Sequence, residues 1–231
     1  MALLLAIETS TKVCSVALQQ DGKVLGLAEI YLEKSHGEQL QILISHICKQ
    51  SGFSLQDLDG VAVSKGPGSY TGLRIGVSTA KGLCYALDKP LLAINTLEAM
   101  AQQAAPWAKS DTLLCPMLDA RRMEVYCAVF DSQMQEVLPT EAKILDEKAF
   151  EELLERQEVL FIGDAVGKTK ALLAHQAKAR FVENIYPSAK QIALLAEARY
   201  QAQAFEDTAY FEPYYLKDFV GTQPKHKNQN L

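Results

Sequence analysis

The sequence predicts an α/β protein of two halves built on one plan: three strands, then helix, strand, helix, strand. Three observations carry this. Each half opens on an apolar run, residues 2–7 and residues 113–118. An acid closes each run just before a hairpin, Glu8 in the first half and Asp119 in the second. Amphipathic helical stretches then alternate with short apolar runs.

In the first half, residues 2–9 read as a buried strand. The run Ala2-Leu3-Leu4-Leu5-Ala6-Ile7 has no basic flank and is interrupted by Glu8, so it is too short for a signal peptide or a membrane span. A cytoplasmic protein is expected. Cys14, Val16 and Leu18 alternate with Ser15, Ala17 and Gln19, the period of a second strand. Asp21-Gly22 is a two-residue hairpin signal, and 24–32 reads as the third strand. Ser35 and Glu38 form a capping box. It opens a helix with Leu40, Leu43, Ile44 and Ile47 on one face. A strand (60–64), a glycine-rich loop, a helix to about residue 87 and a strand (91–94) complete the half. The second half repeats the order with strands at 113–118, 125–130 and, more weakly, 137–145, a helix over 146–156 and a strand over 159–162. Helical patterns follow near 168–178 and over 188–204. Three strands followed by alternating helices and strands, in duplicate, is the ribonuclease H-like plan doubled, the architecture of actin and the sugar kinases. The polar junction around 106–111 divides subdomains 1–106 and 107–220, and the polar segment 221–231 reads as a disordered tail.

At 231 residues the chain can bury roughly 70% of its unfolded surface. A composition of 48% hydrophobic and 22% charged residues is that of an ordinary globular protein. The net charge of -5 argues against autonomous nucleic-acid binding, which calls for a basic face; RNA would be held by a partner. The five cysteines, Cys14, Cys48, Cys84, Cys115 and Cys127, are scattered within apolar patterns without a Cys-x-x-Cys, and read as buried thiols.

The most informative stretch is Ser64-Lys65-Gly66-Pro67-Gly68-Ser69-Tyr70-Thr71-Gly72. It links a strand to a helix through glycines that leave amides uncovered, the setting of a phosphate cradle. The lysine-serine end of a P-loop is missing, and so is a Gly-x-Gly-x-x-Gly. Glu8, Thr9 and Ser10 stand where the doubled fold puts its first phosphate loop, so Glu8, Thr9, Ser10, Gly66 and Gly68 are candidate nucleotide residues. The alternative is a strand-ending acid whose neighbours hydrogen-bond the turn. Gly163-Asp164-Ala165-Val166-Gly167-Lys168-Thr169 is one residue short of a P-loop. The histidines, His36, His46, His175 and His226, show no metal spacing, and His36 reads as a hydrogen-bonded core residue. No metal and no catalytic triad are expected. Asp119-Ala120-Arg121-Arg122 either grips an anion or forms a charged turn. Gly72, Gly76, Ala80 and Cys84 recur every four residues as a small-residue ridge that suits a partner helix or this chain's own sheet. Ile42 points away from the first helix's apolar stripe, beside His46 and Lys49. Ile42, His46, Lys49, Gly72, Gly76 and Ala80 are the candidate association face.

These residues resemble the bacterial TsaB family, also called YeaZ. The resemblance rests on Ala6-Ile7-Glu8-Thr9-Ser10-Thr11 with Cys14-Ser15-Val16-Ala17-Leu18, on residues 64–83, and on Asn95-Thr96-Leu97-Glu98-Ala99. Asp119-Ala120-Arg121 through Glu124-Val125-Tyr126, and Pro213-Tyr214-Tyr215-Leu216-Lys217, extend it over nearly the whole chain. Glu8 stands where many members carry Asp. The resemblance implies an actin-like fold with no catalysis of its own and a partner, TsaD, which transfers a threonylcarbamoyl group to the adenosine beside the tRNA anticodon. It also implies TsaE, an ATPase, in a ternary complex. Docking on TsaD is expected through the helices near 35–50 and 71–87, the same face is the candidate for a homodimer when the partner is absent, and ADP or ATP is considered only at a site shared with partners. TsaD-like relatives hold a metal through a His-x-x-x-His helix; Thr96 and Met100 stand at those positions. The rival reading is an ATP-dependent enzyme of the actin and sugar-kinase class working alone through Glu8 and the cleft between halves.

Overall fold

The computed structural model describes residues 2–32 and 36–217. Ser35 of the expected capping box and the expected tail 221–231 lie outside the described residues. Two five-stranded sheets share one topology. The first has the order β3(Lys23–Tyr31)-β2(Val13–Gln20)-β1(Leu3–Glu8)-β4(Gly60–Gly66)-β5(Leu91–Asn95). The second has the order β10(Ala179–Glu183)-β9(Val159–Gly163)-β6(Leu113–Asp119)-β7(Glu124–Phe130)-β8(Glu136–Ile144). In each, the first three strands form an antiparallel meander, and the two later strands add in parallel. The Asp21-Gly22 turn closes the β2–β3 hairpin with both residues at positive φ, joining Gln20 to Lys23.

One face of the first sheet is covered by α1(His36–Gln50) and α2(Tyr70–Leu87). Leu40, Leu43, Ile44 and Ile47 of α1 and Val77, Ala80 and Cys84 of α2 bury against Leu5, Ile7, Val16 and Val63. Burial of that stripe at roughly 25 cal/mol per Å² fixes both helices. The other face receives α6(Ala189–Gln201), whose Ala189, Ile192, Ala193 and Ala196 pack on Leu4, Ala6, Ala62 and Leu92. α3(Thr96–Ala104) lies between the sheets, with Ala99 toward the first and Leu97, Met100, Ala101 and Ala104 toward the second. Its cap is Asn95, whose side chain accepts from the Leu97 and Glu98 amides. After α6 the chain returns to the first sheet. Glu206 bridges to Leu91, Lys81 donates to the Ala209 and Phe211 carbonyls, and the Tyr214 amide donates to Lys65.

Three elements differ from expectation. α4(Glu151–Arg156) starts later than 146, because the Asp146 carboxylate accepts from the Lys148 amide in a turn and Phe150 takes a left-handed conformation. α5(Val166–Leu173) replaces the longer helix expected over 168–178. β10, not anticipated, follows it and stacks Phe181 on Phe161 at a centroid distance of 5.5 Å. All five cysteines are buried free thiols.

Candidate docking face and the seat beneath it

The glycine loop is filled by the chain itself. β4 ends at Gly66, and Ser69 caps α2 by accepting from the Gly72 amide. The Ser69 amide donates to the Ser10 carbonyl at 2.6 Å. The Thr9 hydroxyl donates to the Gly72 carbonyl at 2.8 Å. A Cβ on Gly68 would collide with the Ser10 carbonyl oxygen, one on Gly72 with the Thr9 carbonyl oxygen, and one on Gly76 with the Thr9 hydroxyl. Gly66, at φ +114°, has the Tyr214 carbonyl oxygen 2.8 Å from its Cβ position. These glycines admit close approach of backbone, and what approaches is a set of carbonyl oxygens, which repel phosphate. Gly66 and Gly68 with Glu8, Thr9 and Ser10 thus form a clasp closed by the chain's own carbonyl oxygens. The same contacts turn part of the expected association face inward: Gly72, Gly76 and Ala80 are buried against the sheet and the Thr9 turn.

Glu8 sits at the bottom of the clasp with no exposed surface. Its Oε1 accepts the Ser10 amide at 2.5 Å, while Oε2 has no hydrogen-bond partner among the described residues. Among the described residues the Ser10 and Ser64 hydroxyls beside it likewise lack partners in hydrogen-bond geometry. Burial pushes the carboxyl up to about 7, against the opposing pull of the Ser10 and Ser64 hydroxyls and the Ser10 and Thr9 amides.

Above the seat, the outer faces of α1 and α2 meet. Ile42 is 59% exposed, and His46 and Lys49 are exposed beside it. On α2, Ser78, Gly82 and Ala86 recur every four residues along the outer side and are exposed, with Tyr85 beside them at 88%. Gln41 of α1 donates to the Thr79 hydroxyl across the pair. A shallow groove of about 360 Å³ runs there, lined by Gln41, Ser78, Thr79, Gly82 and Leu83. A Cβ on Gly82 would meet nothing within 4 Å. No packing among the described residues explains this glycine, which costs about 1 kcal/mol relative to alanine in a helix. Ser78, Gly82, Tyr85 and Ala86 are not among the residues singled out from the sequence. The signal was available, since Leu73, Val77, Ala80 and Cys84 mark the inward face and thereby assign 78, 82 and 86 to the outward one.

The remaining motifs form a charged turn at the carboxyl ends of β6 and β9. The Asp119 amide donates to Asp164, and Lys168 donates to the Asp119 carboxylate at 2.9 Å and to the carbonyls of Arg122 and Glu124. Burial raises the Asp164 carboxyl, helped by the charge of Asp119. Arg121 and Arg122 are exposed, both at positive φ. Lys168 thus ties two loops together. His36 is buried with Nε2 3.3 Å from the Val13 carbonyl. Thr96 and Met100 are buried in the core, a hydroxyl and a thioether where a metal-binding helix would need an imidazole pair. Among the described residues no group of three or more His, Cys, Asp or Glu could hold a metal ion, and no helix is long and apolar enough to cross a membrane.

The duplicated sheet order and interposed helix define a protein of the doubled, actin-like α/β class. The activator of 2-hydroxyisocaproyl-CoA dehydratase from Clostridium difficile, solved with ADPNP, shares the fold at a TM-score of 0.51 over 87% of this chain and 97% of that one, with 8% identity. YeaZ from Pseudomonas aeruginosa is more similar, with a TM-score of 0.77 and 26% identity over 94% of this chain and 100% of that one. A family model described as TsaD, tRNA N6-adenosine threonylcarbamoyltransferase, matches residues 30–223. The Bacillus subtilis (strain 168) tRNA threonylcarbamoyladenosine biosynthesis protein TsaB is 33% identical over 175 residues, 74% of each chain. The chain belongs to this threonylcarbamoyltransferase-like family and, within it, to the TsaB (YeaZ) group.

Proposed function

We propose that this protein is a non-catalytic scaffold subunit of the machinery that makes threonylcarbamoyladenosine next to the tRNA anticodon, docking on TsaD through the outer faces of α1 and α2. The single observation that carries the reading is Gly82, an unexplained helix glycine on the exposed side of α2 beside the exposed Tyr85. A smooth ridge admits a partner helix at close range, and a flanking tyrosine supplies a large, rigid anchor. The same face serves a homodimer when TsaD is absent, and TsaE joins as the third member. The net charge of -5 supports tRNA being held by the partners rather than by this chain. The carbonyl-filled glycine loop supports nucleotide binding only at a site shared with partners. A cytoplasmic location follows from that role.

The test is light scattering on mixtures with purified TsaD, together with reconstituted tRNA modification. Gly82→Arg puts a long charged side chain into open space, so the fold should persist while the complex and the stimulation of TsaD are lost. Assembly unchanged by Gly82→Arg would overturn the assignment. Gly76 is unsuited to this purpose, because a side chain there strikes Thr9 and disturbs the fold first.

A further inference from the structure

Glu8 is at once the support of α2 and a buried acid without a counter-charge. Oε1 accepts the Ser10 amide, the Ser10 carbonyl accepts the Ser69 amide, and Ser69 caps α2. Between them the Thr9 hydroxyl holds the Gly72 carbonyl. A short relay thus joins one carboxyl to the first turn of the helix whose outer face carries Ser78, Gly82 and Tyr85. The groups facing Glu8 are uncharged. They are the Ser10 hydroxyl of its own turn, Ser64 of β4, and Ser15 of β2, which lies opposite in register and accepts the Ala189 amide from the start of α6. From β5, α3 opens on the buried Thr96. The titratable group its charge reaches is the Cys14 thiol of β2, itself pushed up to about 11, first by burial. Lys12, past the turn, lies exposed with its ammonium 4.7 Å from the Tyr186 ring centroid. Among the described residues no cation pairs with Glu8. A neutral carboxyl has a proton to give a neighbouring hydroxyl. An ionised one carries an uncompensated charge that only opening of the turn to water relieves.

We propose that Glu8 is a proton-operated latch on α2: neutral, it holds the 8–11 turn and the helix in place, and ionised, it loosens the turn and with it the docking face. The link to docking rests on the function proposed above, whereas the latch is a property of this chain alone, and the experiment separates the two. Hydrogen–deuterium exchange of the isolated chain is followed in peptides covering Ser10, Ser69 and Gly72 at about pH 6 and about pH 8, corrected for intrinsic rates. Protection there should fall about tenfold across the range, most of it below about pH 7, and level off once the folded carboxyl is itself ionised. Protection in β6 and β7 should stay constant, and Glu8→Gln should give a flat profile. Ser64→Ala, which removes a hydroxyl favouring the ionised form, should move the transition to higher pH and serves if Glu8→Gln folds poorly. Profiles identical in wild type and both variants overturn the latch, whatever the partner does. TsaD affinity measured over the same range should weaken as protection falls; affinity indifferent to pH while exchange responds overturns the coupling to docking. Absence of TsaD binding at every pH overturns the docking reading, and the exchange data still decide the latch.

Discussion

Thr9 and Gly76 share one small space: the Thr9 hydroxyl, held by its bond to the Gly72 carbonyl, stands where a side chain on Gly76 would begin. Gly76→Ala must therefore displace either the hydroxyl or the helix. Overpacking of this kind costs about 1–3 kcal/mol, against which the better helix propensity of alanine returns at most about 1 kcal/mol. Urea unfolding should show a lowered midpoint with unchanged slope. Thr9→Ala removes the obstructing oxygen, so the double variant should recover part of the loss beyond additivity.

Gly82→Ala is the counterpart on the other side of the same helix. Its Cβ enters open space, and the residue it replaces is a poor helix former. The isolated protein should gain up to about 1 kcal/mol, visible as a higher urea midpoint. Gain of stability together with weakened association would identify Gly82 as a residue kept for contact rather than for folding. A loss of stability would show that the helix is not as exposed there as its geometry says.

The fold was largely legible because its cues are local. The Asp21-Gly22 turn, the alternation from Cys14 to Gln19 and the apolar stripe of α1 each specify an element without help from distant residues. β10 was not legible, since Ala179 to Glu183 is short and half-buried, and its place is set by pairing with β9. The site was legible only in part. A ridge of small residues is the same signal whether it faces in or out, and the two glycines at 72 and 76 drew attention to the inward one. What distinguishes them is the Thr9 turn, brought over α2 by a contact across more than sixty positions. The carbonyls that fill the glycine loop come from Ser10 and Tyr214. Nothing in the spacing of Gly66 and Gly68 encodes them.

Glu8 gives the stability a pH dependence with a definite sign. Its folded carboxyl is pushed up to about 7 from an ordinary 4.5, so between those values the folded chain binds the proton that the unfolded chain has released. Stability then falls as pH rises from about 4.5 to about 7 and levels off above. The loss attributable to this group is about 3 kcal/mol at most. Glu8→Gln should flatten this part of the profile and be more stable than the wild type at about pH 8, as read by chemical denaturation across the range. A profile in which the wild type gains stability over that interval while the variant does not would mean that the carboxylate is satisfied in the ionised form.

Nucleotide titration of the isolated chain tests the filled loop directly. A phosphate entering between Gly66 and Gly72 would have to displace the Ser10 and Thr9 carbonyls, and with them the Ser69 and Gly72 contacts that seat α2. The short P-loop lookalike offers no substitute, because Lys168 already serves the Asp119 carboxylate and two carbonyls. Calorimetry with ATP and magnesium should therefore show no saturable binding in the micromolar range, and no hydrolysis should accompany it. Addition of TsaD should restore a binding heat if a shared site exists, because the partner would then bring the cationic groups that this loop lacks. Micromolar binding with turnover by the isolated protein would return Glu8 and the cleft between halves to the position of a working active site.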